Sequence, residues 1–215
     1  MKKFAVILSG CGVYDGAEIH ESVLIMLAIS KYNSSYSLFA PDIDQHHVIN
    51  HLNGEVTSEK RNVLVESARI ARGNIQPLSL FKPEDFDALI FPGGYGISKN
   101  LCTYAFDGPN CSVNPEIENA VRAIHALGKP IGAVCIAPAM IARILGDVEL
   151  TIGQDKDTAT HVVQMGAKHI PTNPGDVIID KRKKVFSTPC YMLDSTILQI
   201  AEGAENIVKS MLNYM

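Results

Sequence analysis

Cys135 lies in Lys129-Pro-Ile-Gly-Ala-Val-Cys-Ile-Ala-Pro-Ala-Met-Ile-Ala-Arg143, where an apolar run meets a helix start. Ile131 to Val134 suit a buried parallel strand, and Pro138 suits the first helical position, where a missing N–H costs nothing. The cysteine is therefore expected in a tight strand-to-helix turn. Ala133 and Ala137 sit two positions to either side of it, small as a nucleophile elbow requires, although alanines replace the usual glycines. Free N–H groups and the positive end of the helix stabilise negative sulfur there, so a thiol pKa below the ordinary value is expected. A buried core cysteine is the competing reading, because cysteine is among the residues most often found inside.

Glu18 and Glu21 stand three residues apart in the first turn of a predicted helix, near one face and near the loops that flank Cys135. Favourable pairing with the helix dipole explains acids in a first turn, and a proton-transfer role for Glu21 is the alternative. His161 and His169 are candidate bases for Cys135 and equally readable as surface residues. The histidines show no metal-ligand spacing, and the five cysteines (11, 102, 111, 135 and 190) include no C-x-x-C pair, so no metal site is expected.

Positioning these side chains requires alternating strands and helices, the pattern of an α/β fold with a parallel sheet. Strands are predicted over Phe4 to Leu8, Ser35 to Ala40, Ala88 to Phe91 and Ile131 to Val134. Helices are predicted over Ala17 to Lys31 with Asp15 as cap, Glu59 to Arg72, Asn114 to Leu127, Asp157 to Met165 and Ser195 to Leu212. Lys168 to Ile170 reads as a short strand, and Asp176 to Ile179 with Val185 to Thr188 as a hairpin around Lys181-Arg182-Lys183-Lys184. The stretch from Lys99 to Asn114 reads as an irregular segment, a lid or rim. Ligands of such sheets bind at the carboxyl ends of the strands, which brings together Ser9 to Gly16, Pro92 to Gly96 and Cys135 to Pro138.

The 215 residues are enough for one domain over 1–215, and no linker divides them. A net charge of −4 argues against a nucleic-acid partner. Gly10-Cys11-Gly12-Val13-Tyr14-Asp15-Gly16 has the wrong spacing for a dinucleotide fingerprint, so no nicotinamide cofactor is expected. Leu8-Ser9-Gly10-Cys11 looks like a lipoprotein cleavage box, yet the apolar run before it is shorter than the roughly 7 to 15 residues of a signal peptide. With no long apolar run elsewhere, no membrane partner is expected. The unpaired cysteines suggest a reducing compartment, and a cytoplasmic location is expected.

Asp15-Gly16-Ala17-Glu18-Ile19-His20-Glu21, Phe91-Pro92-Gly93-Gly94-Tyr95-Gly96 and Ala133-Val134-Cys135-Ile136-Ala137-Pro138-Ala139 together resemble the ThiJ/PfpI superfamily, with its class I glutamine amidotransferase-like fold. The likeness to glyoxalase-like members extends over nearly the whole chain. It implies a flavodoxin-like three-layer sandwich with a mostly parallel sheet, a nucleophilic Cys135 and Glu21 hydrogen-bonded to it. It also implies an oxyanion or substrate site of N–H groups near Gly94 and of Ile136, with Gly93 and Glu18 beside them. Ile136 stands where protease-like members carry histidine, and the His-x-Glu pair of glutamine amidotransferases is missing, which argues against amide hydrolysis and ammonia transfer. The implied activity is cofactor-free and metal-free conversion of glyoxal, or a related small 2-oxoaldehyde, to the hydroxy acid through a Cys135 thiohemiacetal, in a homodimer. A redox-sensing or stress-binding protein whose Cys135 is oxidised without turnover is the alternative.

Overall fold

Phe4, Val6 and Leu8 point to one side of the first strand and Ala5 and Ile7 to the other, and all five are fully buried. A strand covered on both faces belongs inside a parallel sheet with helices on either side. The computed structural model, which describes residues 1–215, has that architecture. Strands β1 (Lys3–Ile7), β2 (Ser35–Ala40), β3 (Gln76–Pro77), β4 (Ala88–Phe91), β5 (Ile131–Val134), β8 (Ile178–Asp180) and β9 (Val185–Thr188) form one sheet. Their order is β3-β2-β1-β4-β5-β9-β8, parallel throughout except where β8 pairs with β9. Helices α1 (Ile19–Lys31) and α7 (Ile197–Leu212) pack Ile25, Ile29, Ile200 and Ile207 against the Phe4 face. Helices α4 (Pro115–Ala126) and α5 (Ala137–Leu145) pack Ile117, Ile124, Met140 and Ile141 against the Ile7 face. The protein is a flavodoxin-like α/β sandwich.

Several boundaries differ from expectation for local reasons. Helix α1 is capped by Glu18, whose Oε2 accepts the Glu21 N–H at 2.7 Å. Asp15, the expected cap, instead accepts the Ile49 N–H at 2.7 Å and holds the following loop. Helix α2 (Val63–Ile70) is shorter than predicted because Asn62 caps it, accepting from the Val65 N–H at 3.0 Å. The stretch before it folds back through isolated bridges. Strands β3 and β6 (Glu149–Leu150) are two residues each, too short to leave a periodic signal. The strand predicted from Lys168 is β7 (Lys168–His169), which pairs only with β6 in a separate small sheet.

The segment expected to be irregular is folded. A π-helical turn over Ile97–Leu101 leads into the short helix α3 (Tyr104–Asp107), and Asn100 Nδ2 donates to the carbonyls of Ser9 and Asp15, both at 2.9 Å. From β1 the chain steps outward to β2 and β3, then returns to the other side of β1 for β4, β5 and β9. The crevice at this reversal opens beyond the carboxyl ends of β1 and β4. Their loops are tied there, with the Glu18 N–H donating to the Gly93 carbonyl at 2.9 Å and the Gly96 N–H to the Gly16 carbonyl at 2.8 Å.

Candidate active site

Cys135 follows β5 directly and adopts φ 59°, a left-handed conformation that costs a non-glycine residue about 1–3 kcal/mol. The turn is held from both sides. Strand β5 is paired with β4 and β9, the Cys135 N–H donates to the Thr188 carbonyl at 3.0 Å, and α5 begins two residues later with Pro138 in its first turn. The thiol thereby sits at the bottom of a cavity of about 380 Å³, itself only 8% exposed.

Three groups meet the sulfur: the backbone N–H groups of Gly94 and Ile136, and the carboxyl of Glu21. Glu21 has no solvent exposure. The Gly93 N–H donates to its Oε2 at 2.8 Å and the Tyr191 N–H to its Oε1 at 3.2 Å. Gly93 is required by this closeness, because a Cβ added there would lie 2.6 Å from Glu21 Oε2 and 2.9 Å from Cys135 Sγ. Gly94, at φ 97°, brings its N–H to the thiol with its backbone against the start of α1; an added Cβ would lie 2.5 Å from the Glu18 nitrogen.

Burial, and then the nearby Glu18 carboxylate, push the Glu21 carboxyl up to about 7. Burial, and then Glu21 itself, push the Cys135 thiol up. This corrects the expected lowering. The N–H donors at the start of α5 do act in the expected direction, but desolvation and the neighbouring carboxylate outweigh them. Near neutral pH the thiol therefore keeps its proton while the Glu21 carboxyl is poised between acid and carboxylate, able to give a proton to a bound molecule or take one from it.

The structure thus brings Cys135, Glu21, Gly93, Gly94 and Ile136 into one cluster. Glu18 stands behind it, buried, fixing Glu21 through its backbone rather than facing the cavity. His161 is one residue removed from the cavity, its Nδ1 3.0 Å from the Tyr104 hydroxyl, and His169 lies in the small second sheet. Neither touches the thiol.

Sequence reasoning missed Tyr104, Asp155, Thr158 and Tyr191, which line the cavity. Asp155 and Thr158 come from the start of α6 (Lys156–Gln164), where Asp155 accepts the Thr158 N–H at 2.8 Å. Tyr191 comes from the turn after β9, and its hydroxyl is 2.8 Å from His20 Nδ1. The signal for Tyr191 was available: β9 runs parallel to β5, so its carboxyl end also arrives at the site. No group of three or more His, Cys, Asp or Glu side chains is placed to hold a metal ion. No helix is long and apolar enough to cross a membrane.

No protein-family model matches the chain. It is 42% identical over 220 residues to the human glutamine amidotransferase-like class 1 domain-containing protein 3, mitochondrial, covering 98% of this chain and 82% of that protein. It is 43% identical to the ES1 protein homolog, mitochondrial, of Rattus norvegicus, over 98% of this chain and 83% of the relative. The chain belongs to the ES1 family of glutamine amidotransferase-like proteins. A solved isoprenoid biosynthesis protein with an amidotransferase-like domain, from Ehrlichia chaffeensis, superposes on this ES1-family chain with a TM-score of 0.94 at 39% identity, covering 100% of this chain and 99% of that one. The resemblance to the ThiJ/PfpI superfamily, with its glutamine amidotransferase-like fold, is thereby borne out. Glyoxalase III of Candida albicans shares the fold alone, with a TM-score of 0.60 at 15% identity over 100% of this chain and 97% of its own. The expected cytoplasmic location is corrected by these findings: the curated ES1 relatives are named as mitochondrial proteins.

Proposed function

We propose that this ES1-family chain, read as one ThiJ/PfpI-like domain over 1–215, is a cofactor-independent glyoxalase-type enzyme that converts glyoxal, or a related small 2-oxoaldehyde, to its hydroxy acid. The observation that carries the reading is the buried Glu21 carboxyl, poised at about 7 against the Cys135 sulfur. A proton donor and acceptor of that strength is suited to proton transfer at neutral pH.

In this mechanism the Cys135 sulfur attacks one aldehyde carbon, and the thiol proton reaches the new alkoxide through Glu21, giving a thiohemiacetal. The N–H groups of Gly94 and Ile136, which meet the sulfur at rest, hold the oxyanion as it forms. Glu21, now a carboxylate, takes the carbinol C–H proton to leave an enediolate and returns it to the neighbouring carbon, while the hydroxyl proton moves to the former aldehyde oxygen. The result is a thioester of glycolic acid. Water cleaves it, releasing glycolate and restoring the thiol, so the electrons move only within the substrate.

Oxidation of Cys135 without turnover is the second reading, and the upward push that burial and Glu21 give the thiol works against it. The proposal includes a homodimer, supported by Ile19, Val23 and Leu27, which line one exposed face of α1 at i, i+4 and i+8. The functional test is NMR of glyoxal incubated with the wild type and with Cys135→Ala. Glycolate formed by the first and not by the second is the expected result. Glyoxal consumed without glycolate would overturn the proposal.

A further inference from the structure

We propose that Cys102 and Cys111 form a second redox-active site, separate from Cys135, which a hydroperoxide converts to a disulfide. Cys102 pairs with Val113 across a single antiparallel bridge, flanked by the Thr103 N–H on the Ser112 carbonyl at 2.9 Å and the Asn114 N–H on the Leu101 carbonyl at 2.8 Å. Side chains two positions apart along an extended strand share a face, so Cys111 returns to the side on which Cys102 lies. The two thiols are neighbours there, close enough for each to shift the titration of the other. Cys102 Sγ donates to the Ile97 carbonyl at 3.3 Å, which holds its proton while Cys111 faces it.

Arg143 distinguishes Cys111 from its partner. Its Nε donates to the Cys111 carbonyl at 2.6 Å, which brings the guanidinium beside the sulfur. The neighbouring Cys102 and then this cation hold Cys111 down at about 7, while burial and neighbouring acidic groups push Cys11, Cys135 and Cys190 up. Cys111 is thus the thiolate former of the pair and Cys102 the thiol that resolves it. Both side chains are buried, but Cys111 lines a cleft of about 370 Å³ that Arg122 and Arg143 also line. The ladder covering it is one bridge long, and elements of that kind open locally at far less cost than global unfolding.

The chemistry balances. The Cys111 thiolate attacks the O–O bond, an S–O bond forms, and hydroxide leaves and takes a proton. The Cys102 sulfur then attacks the sulfenic acid, the S–S bond forms, and the S–O bond breaks with loss of water. Two thiols lose two electrons and two protons, and one hydrogen peroxide becomes two waters. The crosslink closes the chain around α3, which carries Tyr104 and Ala105 of the cavity wall, so oxidation staples one rim of the site.

The test needs no glyoxal chemistry. The full-length wild-type protein is treated with graded hydrogen peroxide, free thiols are alkylated, and the digest is mapped by mass spectrometry without reductant. A reducible peptide pair joining Cys102 to Cys111 is the expected major crosslink. It should form equally in Cys135→Ala, and in Cys102→Ser it should be replaced by a Cys111 sulfenic acid that a cyclic 1,3-diketone traps. Cys102 and Cys111 both remaining alkylatable at a dose that oxidises Cys135 completely would overturn the inference, as would oxidation of Cys111 that never reaches Cys102 in the wild type.

Discussion

A carboxyl group with no exposure and a second carboxylate nearby is costly to ionise even where two backbone N–H donors and a thiol favour its charged form, and that cost can be read in a titration. Glu21 has an ordinary value of 4.5 and is raised to about 7 in the folded protein. Between those pH values the folded chain keeps a proton that the unfolded chain has released, so stability falls as pH rises through this window and levels off above it. Glu21→Gln should remove that slope, seen as a melting temperature that no longer drops between pH 5 and pH 7 in calorimetry. Activity should move in the opposite sense: the acid limb of kcat/KM should rise through about 7, where the pair sheds its second proton. Gly93→Ala should lose turnover and about 1–3 kcal/mol of stability in urea, because the added methyl must displace Glu21 or Cys135. At this scale the sequence was legible in residue identity and misleading in electrostatics. Cys135 and Glu21 could be named from their neighbours along the chain, but the burial that raises both groups depends on segments far apart in sequence.

Elements place these groups, and each does so through one end. Strand β5 and helix α5 hold the strained Cys135, the turn after β4 supplies Gly93 and Gly94, and the first turn of α1 presents Glu21. The carboxyl ends of β1, β4 and β5 were recognisable because their hydrophobic runs are bounded by glycine and proline. Tyr191 escaped because β9 reads locally as half of a hairpin with β8, and only its parallel pairing with β5 sends the following turn to the site. Asp15 has the residue type and position of an α1 cap, and the sequence carries no sign that the Ile49 N–H claims it. The actual cap offers a test of how an element tunes the site. Glu18→Gln keeps an oxygen for the Glu21 N–H but removes the like charge beside the Glu21 carboxyl, the second cause of its upward shift. The acid limb of the pH–rate profile should therefore move to lower pH with little change in melting temperature. An unmoved limb would mean that desolvation alone sets the Glu21 value.

At the scale of the whole molecule, the alternation of strand and helix was enough to reach the α/β class, and the switch in strand order accounts for where the site opens. What the chain alone could not give was compartment and assembly, since neither is encoded in periodicity; the relatives' names corrected the first. For the second, Val23→Glu on the exposed face of α1 should convert the proposed dimer to monomer in light scattering while leaving the melting transition cooperative. With no metal-ligand cluster in the fold, exhaustive chelation is expected to leave turnover unchanged. The most direct test of the mechanism is an NMR time course of glycolate formed from glyoxal by the wild type and Glu21→Gln at neutral pH. The wild type should release glycolate in step with glyoxal loss, and Glu21→Gln should be slower by about 10²–10⁴-fold, the usual worth of a positioned proton-transfer group. Equal rates in the two proteins, or no glycolate from the wild type, would contradict the central role given to the buried carboxyl.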